Sequence, residues 1–243
     1  MKKYLSVFGL FVTMNFYKVL SVLCLMCVTE FGLLFYKFSN FKDTVSGCDL
    51  NLIIDSAYIN ICFLIAVLLI TVFLCLSGTE YSSKVGYTLK RLSVSEKNIF
   101  LINAVYNSFV YMIIWVAQLL VIYIFCIFFM QNISGETISN QTVFLSSYRS
   151  IFFHSILPLS DVLLLIRNII LAVAFGFCTS HFSFKQRRKQ FSYSLPALVI
   201  YSILFFVTNI GEIGNRIVTI IMSILVIGIS TYLVYSTEEG YDE

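Results

Sequence analysis

Long apolar stretches alternate with short polar ones along the whole 243-residue chain. Six of them, residues 19–36, 59–76, 99–130, 162–181, 193–208 and 217–235, are close to the length of a membrane crossing. About 20 apolar residues in a helix cross a hydrocarbon layer of roughly 30 Å. The third stretch exceeds that length, so it must tilt or protrude. Barrel strands would alternate apolar and polar residues at period two, and these stretches do not. Only two prolines interrupt the chain. The pattern therefore predicts an all-α polytopic membrane protein with six transmembrane helices, built as a single transmembrane domain over residues 1–243.

Three segments outside the spans carry helical patterns of their own. In residues 1–18, Tyr4, Leu5, Phe8, Phe11, Val12 and Phe16 recur at helical spacing, with Lys2, Lys3 and Lys18 at the ends. This suits an interfacial amphipathic helix, or a first span that simply starts early. The polar loop 77–98 holds two capping boxes, Ser77-x-x-Glu80 and Ser93-x-x-Glu96. The first opens a short helix whose Tyr81, Val85, Leu89 and Leu92 share one face, with Lys84, Lys90 and Arg91 off that stripe. The second opens the helix that becomes the third span. In the 131–161 loop, Val143 to Leu157 is apolar at helical intervals and stops at Pro158, which predicts a helical insertion between spans three and four. Ser160 and Asp161 suit the N-cap of the fourth span.

Composition narrows the class. The chain is 59% hydrophobic and 12% charged, with a mean hydropathy of +0.90, whereas soluble domains carry about 25% charged residues. The first apolar run is long and ends in bulky Leu34-Phe35-Tyr36, so it is expected to remain as an anchor rather than be cleaved as a signal. The net charge of +3 comes from basic residues at membrane ends and is no nucleic-acid signature. Eleven Lys and Arg residues (Lys2, Lys3, Lys18, Lys84, Lys90, Arg91, Lys97, Lys185, Arg187, Arg188, Lys189) fall on one side, against four on the other (Lys37, Lys42, Arg149, Arg216). The positive-inside rule then places both termini in the cytosol of a multi-pass plasma-membrane protein. Six of the seven cysteines lie in or beside apolar runs, and Cys24-x-x-Cys27 has no His or acidic ligand near it. They read as small core-filling side chains.

Few residues carry candidate chemistry. Glu30 and Arg167 are the ionisable groups inside spans, at costs of about 2.5–3.5 kcal/mol each near mid-membrane. Their positions along spans one and four put them at similar depth, so they are expected to pair, or else each reaches an interface or a wet cavity independently. Asn103 and Asn107 share a face of span three, where they glue helices or line a path; Gln118 and Asn168 are further polar residues in spans. His154 and His181 fall on opposite sides, and no span contains an aspartate, which argues against the usual intramembrane proteases. The chain also lacks G-x-x-x-x-G-K-[ST]. No catalytic residue and no metal ligand is assigned, and no enzyme activity is expected.

Tyr87–Phe100, Y-T-L-K-R-L-S-V-S-E-K-N-I-F, resembles the cytosolic segment of ABC type-2 exporter permeases, where a T-L-x-R-L-P-I/V-S-R-like string leads from span two into span three. Six spans, an N-terminal interfacial helix and cytosolic ends fit the same family over nearly the whole chain. Ser93 stands where proline is common, and the larger outer insertion falls between spans three and four rather than five and six. The resemblance implies that 77–98 is a cytosolic coupling loop, with Tyr87, Leu89, Lys90, Arg91 and Leu92 docking on a cytosolic ABC ATPase subunit. It further implies that ATP and Mg are bound by that partner, that this chain carries no cofactor, and that a second permease copy or a related permease completes the pathway. The cargo would be amphipathic or hydrophobic: a peptide, drug or lipid. Small permeases of this kind in bacteria include exporters that protect against antimicrobial peptides. A secondary transporter or a membrane scaffold, either without an ATPase, is the alternative.

Overall fold

The computed structural model describes residues 2–41, 50–77, 94–132, 140–157, 161–188, 190–207 and 213–239. These form nine α-helices: α1 (Lys2–Phe41), α2 (Leu50–Ser56), α3 (Ile59–Ser77), α4 (Glu96–Asn132), α5 (Asn140–Arg149), α6 (Ile151–Ile156), α7 (Val162–Arg187), α8 (Ser194–Val207) and α9 (Ile213–Glu239). Among the described residues there is no strand.

Five helices, α1, α3, α4, α7 and α9, are long and apolar enough to cross a membrane. The protein is thus an all-helical, multi-pass membrane protein. Where a sixth span was expected, at 193–208, lies α8, an apolar helix of 14 residues. At 1.5 Å per residue its described length is about 21 Å, short of the roughly 30 Å core. Pro196 sits in its first turn, where a missing N–H costs little.

Residues 2–18 do not form a helix of their own. They are the first part of α1, which runs for 40 residues without a break at Lys18. No glycine or proline lies between Phe11 and Val19 to stop it. Part of its apolar face is used against protein, since Phe8 and Phe11 pack on Tyr106 of α4 at ring separations of 5.8 and 6.4 Å. Farther along, Phe31, Phe35 and Phe38 surround Phe128. The two helices therefore run parallel over most of their length.

Contacts at the helix ends set the direction of α1, α4, α7 and α9. At one end Asn98 of α4 reaches the Tyr4 hydroxyl of α1 at 3.4 Å, Lys97 lies 5.1 Å over the Tyr235 ring of α9, and Arg188, the C-cap residue of α7, meets Glu96 at 2.6 Å. The first helix thus begins, and the last one ends, at the end of the bundle that holds Glu96. At the other end Asp161, Arg216, Ser150 and Asp55 gather. The hub is α7, which packs on α3, α4, α6, α8 and α9.

The expected insertion between α4 and α7 is helical but divided. Ser150 breaks it into α5 and α6. Its hydroxyl caps α6 by accepting from the Phe153 N–H at 3.3 Å and donates to Asp55 Oδ1 at 2.6 Å. Trp115 of α4 donates its indole N–H to the Ile156 carbonyl at 3.1 Å. These bonds seat the insertion on α2 and α4. Partial burial raises the Asp55 carboxyl from its ordinary value, and the Ser150 hydroxyl opposes that rise. A raised acid stabilises the fold while protonated and loses that contribution as pH rises through its shifted value. Asp55→Asn is therefore expected to flatten a small fall in thermal midpoint as pH rises from the ordinary aspartate value, measured against the wild-type chain.

Candidate functional site in the polar seam of the bundle

The facing surfaces of α4 and α7 are apolar at their edges and polar along their line of contact. On α7, Gly176, Thr179, Ser180 and Ser183 recur at i, i+3, i+4 and i+7, which is one helix face. Small residues let two backbones approach closely in a lipid environment. The approach here is extreme: a Cβ added to Gly176 would lie 2.5 Å from the Ser108 nitrogen and 2.8 Å from its Cα.

Hydrogen bonds run along this seam. Near the Glu96 end, Ser183 donates to the Cys75 carbonyl of α3 at 3.3 Å, and Ser180 donates to the Phe100 carbonyl of α4 at 2.9 Å. His181 Nδ1 sits 3.0 Å from both the Ser192 and Ser194 hydroxyls, tying α7 to the start of α8. Deeper in, Asn107 donates to Thr179 Oγ1 at 2.9 Å, and Thr71 of α3 pairs with the Tyr111 hydroxyl at 2.8 Å. Asn107, Ser180 and Ser183 are fully buried. The seam is made of neutral hydroxyls and carboxamides. It offers hydrogen bonds that hold α3, α4 and α7 in register, in surroundings where an unmet polar group is costly.

Of the residues expected to carry function, Asn107 is in the seam, and Asn103 is buried one turn before it on the same face. Asn107 lies in the helix contact through its bond to Thr179. Tyr87, Leu89, Lys90, Arg91 and Leu92 lie outside the described residues.

Glu30 and Arg167 are not brought together. Glu30 is fully buried where α1, α3 and α4 meet, with Gln118 of α4 as its polar neighbour and Cys27 and Cys62 close by. Neither carboxylate oxygen makes a hydrogen bond of good geometry, and the Gln118 amide makes none either. Arg167 instead turns toward α6. Its Nε and Nη2 donate to Asn168 Oδ1 at 3.2 and 2.9 Å, and Nη2 also lies 3.5 Å from the Ser155 carbonyl. Depth along a helix does not fix the direction a side chain takes around it.

The missing partners of Glu30 lead to a prediction. A buried ionisable group without a partner is a burden on stability. Glu30→Gln is expected to leave the thermal midpoint in detergent unchanged or raised, while Glu30→Lys lowers it strongly. A clear loss on Glu30→Gln would mean that the carboxylate is engaged.

The hydroxyl stripe of α7 was not singled out from sequence, although its spacing is visible in G-F-C-T-S-H-F-S (176–183). Serine and threonine are common in membrane helices and often bond back to their own helix, as Thr179 also does to the Phe175 carbonyl at 2.9 Å. No protein-family model matches the chain, and neither a curated protein nor a solved structure matches it.

Proposed function

We propose that this chain is the transmembrane permease subunit of an ATP-driven exporter of the ABC type-2 kind, working with a separate ATPase and a second permease copy or relative. The observation that carries this reading is the junction at Glu96. There the basic 77–98 stretch of the sequence leads into α4, a helix of 37 residues that begins at Glu96. The base of α4 is clamped to the end of α7 by Glu96 and Arg188, with the Arg188 guanidinium also 4.5 Å over the Phe184 ring. A push on that segment would move α4, and the α4–α7 seam would pass the movement across the bundle. The same end holds both the first turn of α1 and the last turns of α9, in keeping with two cytosolic termini.

Without a phosphate-binding loop of its own, the chain in this scheme takes ATP energy, with its Mg, only through the partner. The cargo is an amphipathic or hydrophobic molecule. The buried Glu30 favours one other reading, a secondary transporter coupled to an ion. Driving force separates the two. Inside-out vesicles from cells expressing this chain with its ATPase are expected to accumulate a fluorescent hydrophobic peptide only when ATP is added. Uptake driven by a proton or sodium gradient without ATP would contradict the exporter reading.

A further inference from the structure

The α1–α4 contact is built unlike the α4–α7 seam. On α1 the buried positions Phe11, Asn15, Val22, Met26, Glu30 and Leu34 form a single stripe. Two of them are polar. Asn15 lies beside the Tyr106 hydroxyl of α4, and Glu30 lies beside Gln118. Neither contact closes to a hydrogen bond: both polar side-chain atoms of Asn15, of Glu30 and of Gln118 go unbonded. In the α4–α7 seam, by contrast, Asn107, Ser180 and Ser183 each donate a bond across the helix contact. Polar atoms left unmet in a hydrocarbon layer cost free energy, and an ionisable group costs the most. Packing alone would be served better by leucine at each of these positions.

Two apolar grooves follow the same contact, each lined by α1 and α4 alone. One, of about 490 Å³, runs past Val12, Val19 and Leu23 of α1 and Tyr106, Val110 and Ile113 of α4. The other, of about 740 Å³, is lined by Cys27, Phe31 and Phe35 of α1 and Ala117, Val121 and Ile124 of α4. Both volumes are in the range of small-molecule sites. Cys27 and Phe31 bracket Glu30 along α1, and Ala117 and Val121 bracket Gln118 along α4, so the larger groove lies against the unbonded pair. Asn15 falls in the same way between Val12 and Val19, along the smaller one. Asn15 and Glu30 are fifteen residues apart on α1, or about 22 Å along its axis, against a hydrocarbon core of roughly 30 Å. Charge complementarity names the ligand. Glu30 enters none of the ion pairs among the described residues. An ionised carboxylate only accepts hydrogen bonds, and the Gln118 carbonyl oxygen is a second acceptor. Together they call for a cation with N–H donors, while the groove calls for an apolar chain and its phenylalanine rings also favour an ammonium group.

We propose that the α1–α4 contact binds an amphipathic cation, an alkyl chain carrying an ammonium head, with the head between Glu30 and Gln118 and the chain in the groove beside them. This narrows the cargo class of the exporter reading, and it rests on the chain being a carrier of amphipathic molecules. Binding is measured on the chain alone, without an ATPase, so a failure here leaves the ATP-driven uptake test of that reading untouched.

The purified full chain in phosphatidylcholine nanodiscs tests it with two radiolabelled probes of equal chain length. Dodecylamine, an ammonium ion at pH 7, carries the cationic head, and dodecanol is its neutral counterpart. Empty nanodiscs give the background from partitioning into lipid. Dodecylamine is expected to bind saturably above that background, and dodecanol at least tenfold more weakly. Glu30→Gln keeps the shape and removes the charge, so it should weaken dodecylamine binding by about tenfold or more. Glu30→Asp keeps the charge and should retain part of the affinity. Gln118→Ala should weaken binding several-fold. Circular dichroism and the thermal midpoint check that each variant is folded, and Glu30→Gln is the variant least expected to unfold. No saturable binding above empty nanodiscs overturns the proposal. So does dodecanol binding as tightly as dodecylamine, which would show a groove that reads only the chain. Unchanged dodecylamine affinity in a folded Glu30→Gln chain overturns it as well.

Discussion

Replacing Gly176 by valine should force α4 and α7 apart and cost the protein much of its stability. The Ser108 nitrogen and Cα would stand 2.5 and 2.8 Å from the new Cβ. Both are backbone atoms of a continuous helix, so they cannot swing aside as a side-chain tip would. Overpacking a well-packed contact costs about 1–3 kcal/mol, occasionally more. For a chain of this size that is a fall of roughly 3–10 °C in thermal midpoint. Gly176→Ala should show a smaller fall in the same direction. Ser108→Gly in the Gly176→Val background relieves the contact with the hydroxyl but not with the backbone, so rescue should be partial. Widening the contact also stretches the Asn107–Thr179 bond one turn away (2.9 Å). An unchanged midpoint in Gly176→Val would mean that the two helices do not cross this closely.

The second large effect concerns the basic segment before α4. Leu89→Asp and Arg91→Glu are each expected to weaken association with the ATPase by at least tenfold, the scale of a central interface residue. In the sequence, Leu89 recurs at helical spacing with Tyr81, Val85 and Leu92, and Arg91 is one of the basic residues that fall off that spacing. The two variants probe apolar contact and charge separately. Folding should be spared, because each is a single substitution in the polar stretch between two long apolar runs. Pull-down of the ATPase from membranes, with circular dichroism of the permease as control, measures both. Full association in both variants would return the segment to a plain lipid-facing anchor.

The class and the long helices were legible because lipid imposes a simple rule. Runs of bulky apolar residues about 20 long are visible in any window, and five of them became helices of spanning length. The continuity of α1 was harder to see, since Lys18 marks a polarity boundary and not a conformational one. Its helix passes through Lys18 because nothing in M-N-F-Y-K-V-L (14–20) opposes it. The helix α2 escaped notice because seven residues are too few for a periodic signal. The division of the 140–157 insertion turned on the hydroxyl of Ser150, whose role depends on Asp55, 95 positions earlier. At the site, Asn107 stood out as a polar residue in an apolar run. The Glu30–Arg167 pairing failed because equal depth says nothing of azimuth: Glu30 faces Gln118, and Arg167 faces α6.

The central claim is that this chain works only with a separate ATPase docked at the Glu96 end of its bundle. Affinity capture of the full chain from its native membranes in mild detergent, followed by mass spectrometry of the bound proteins, tests it most directly. A soluble protein carrying a phosphate-binding loop should be recovered in stoichiometric amount, and lost with Leu89→Asp. Recovery of the chain without any ATPase, in a form that still transports, would contradict the account.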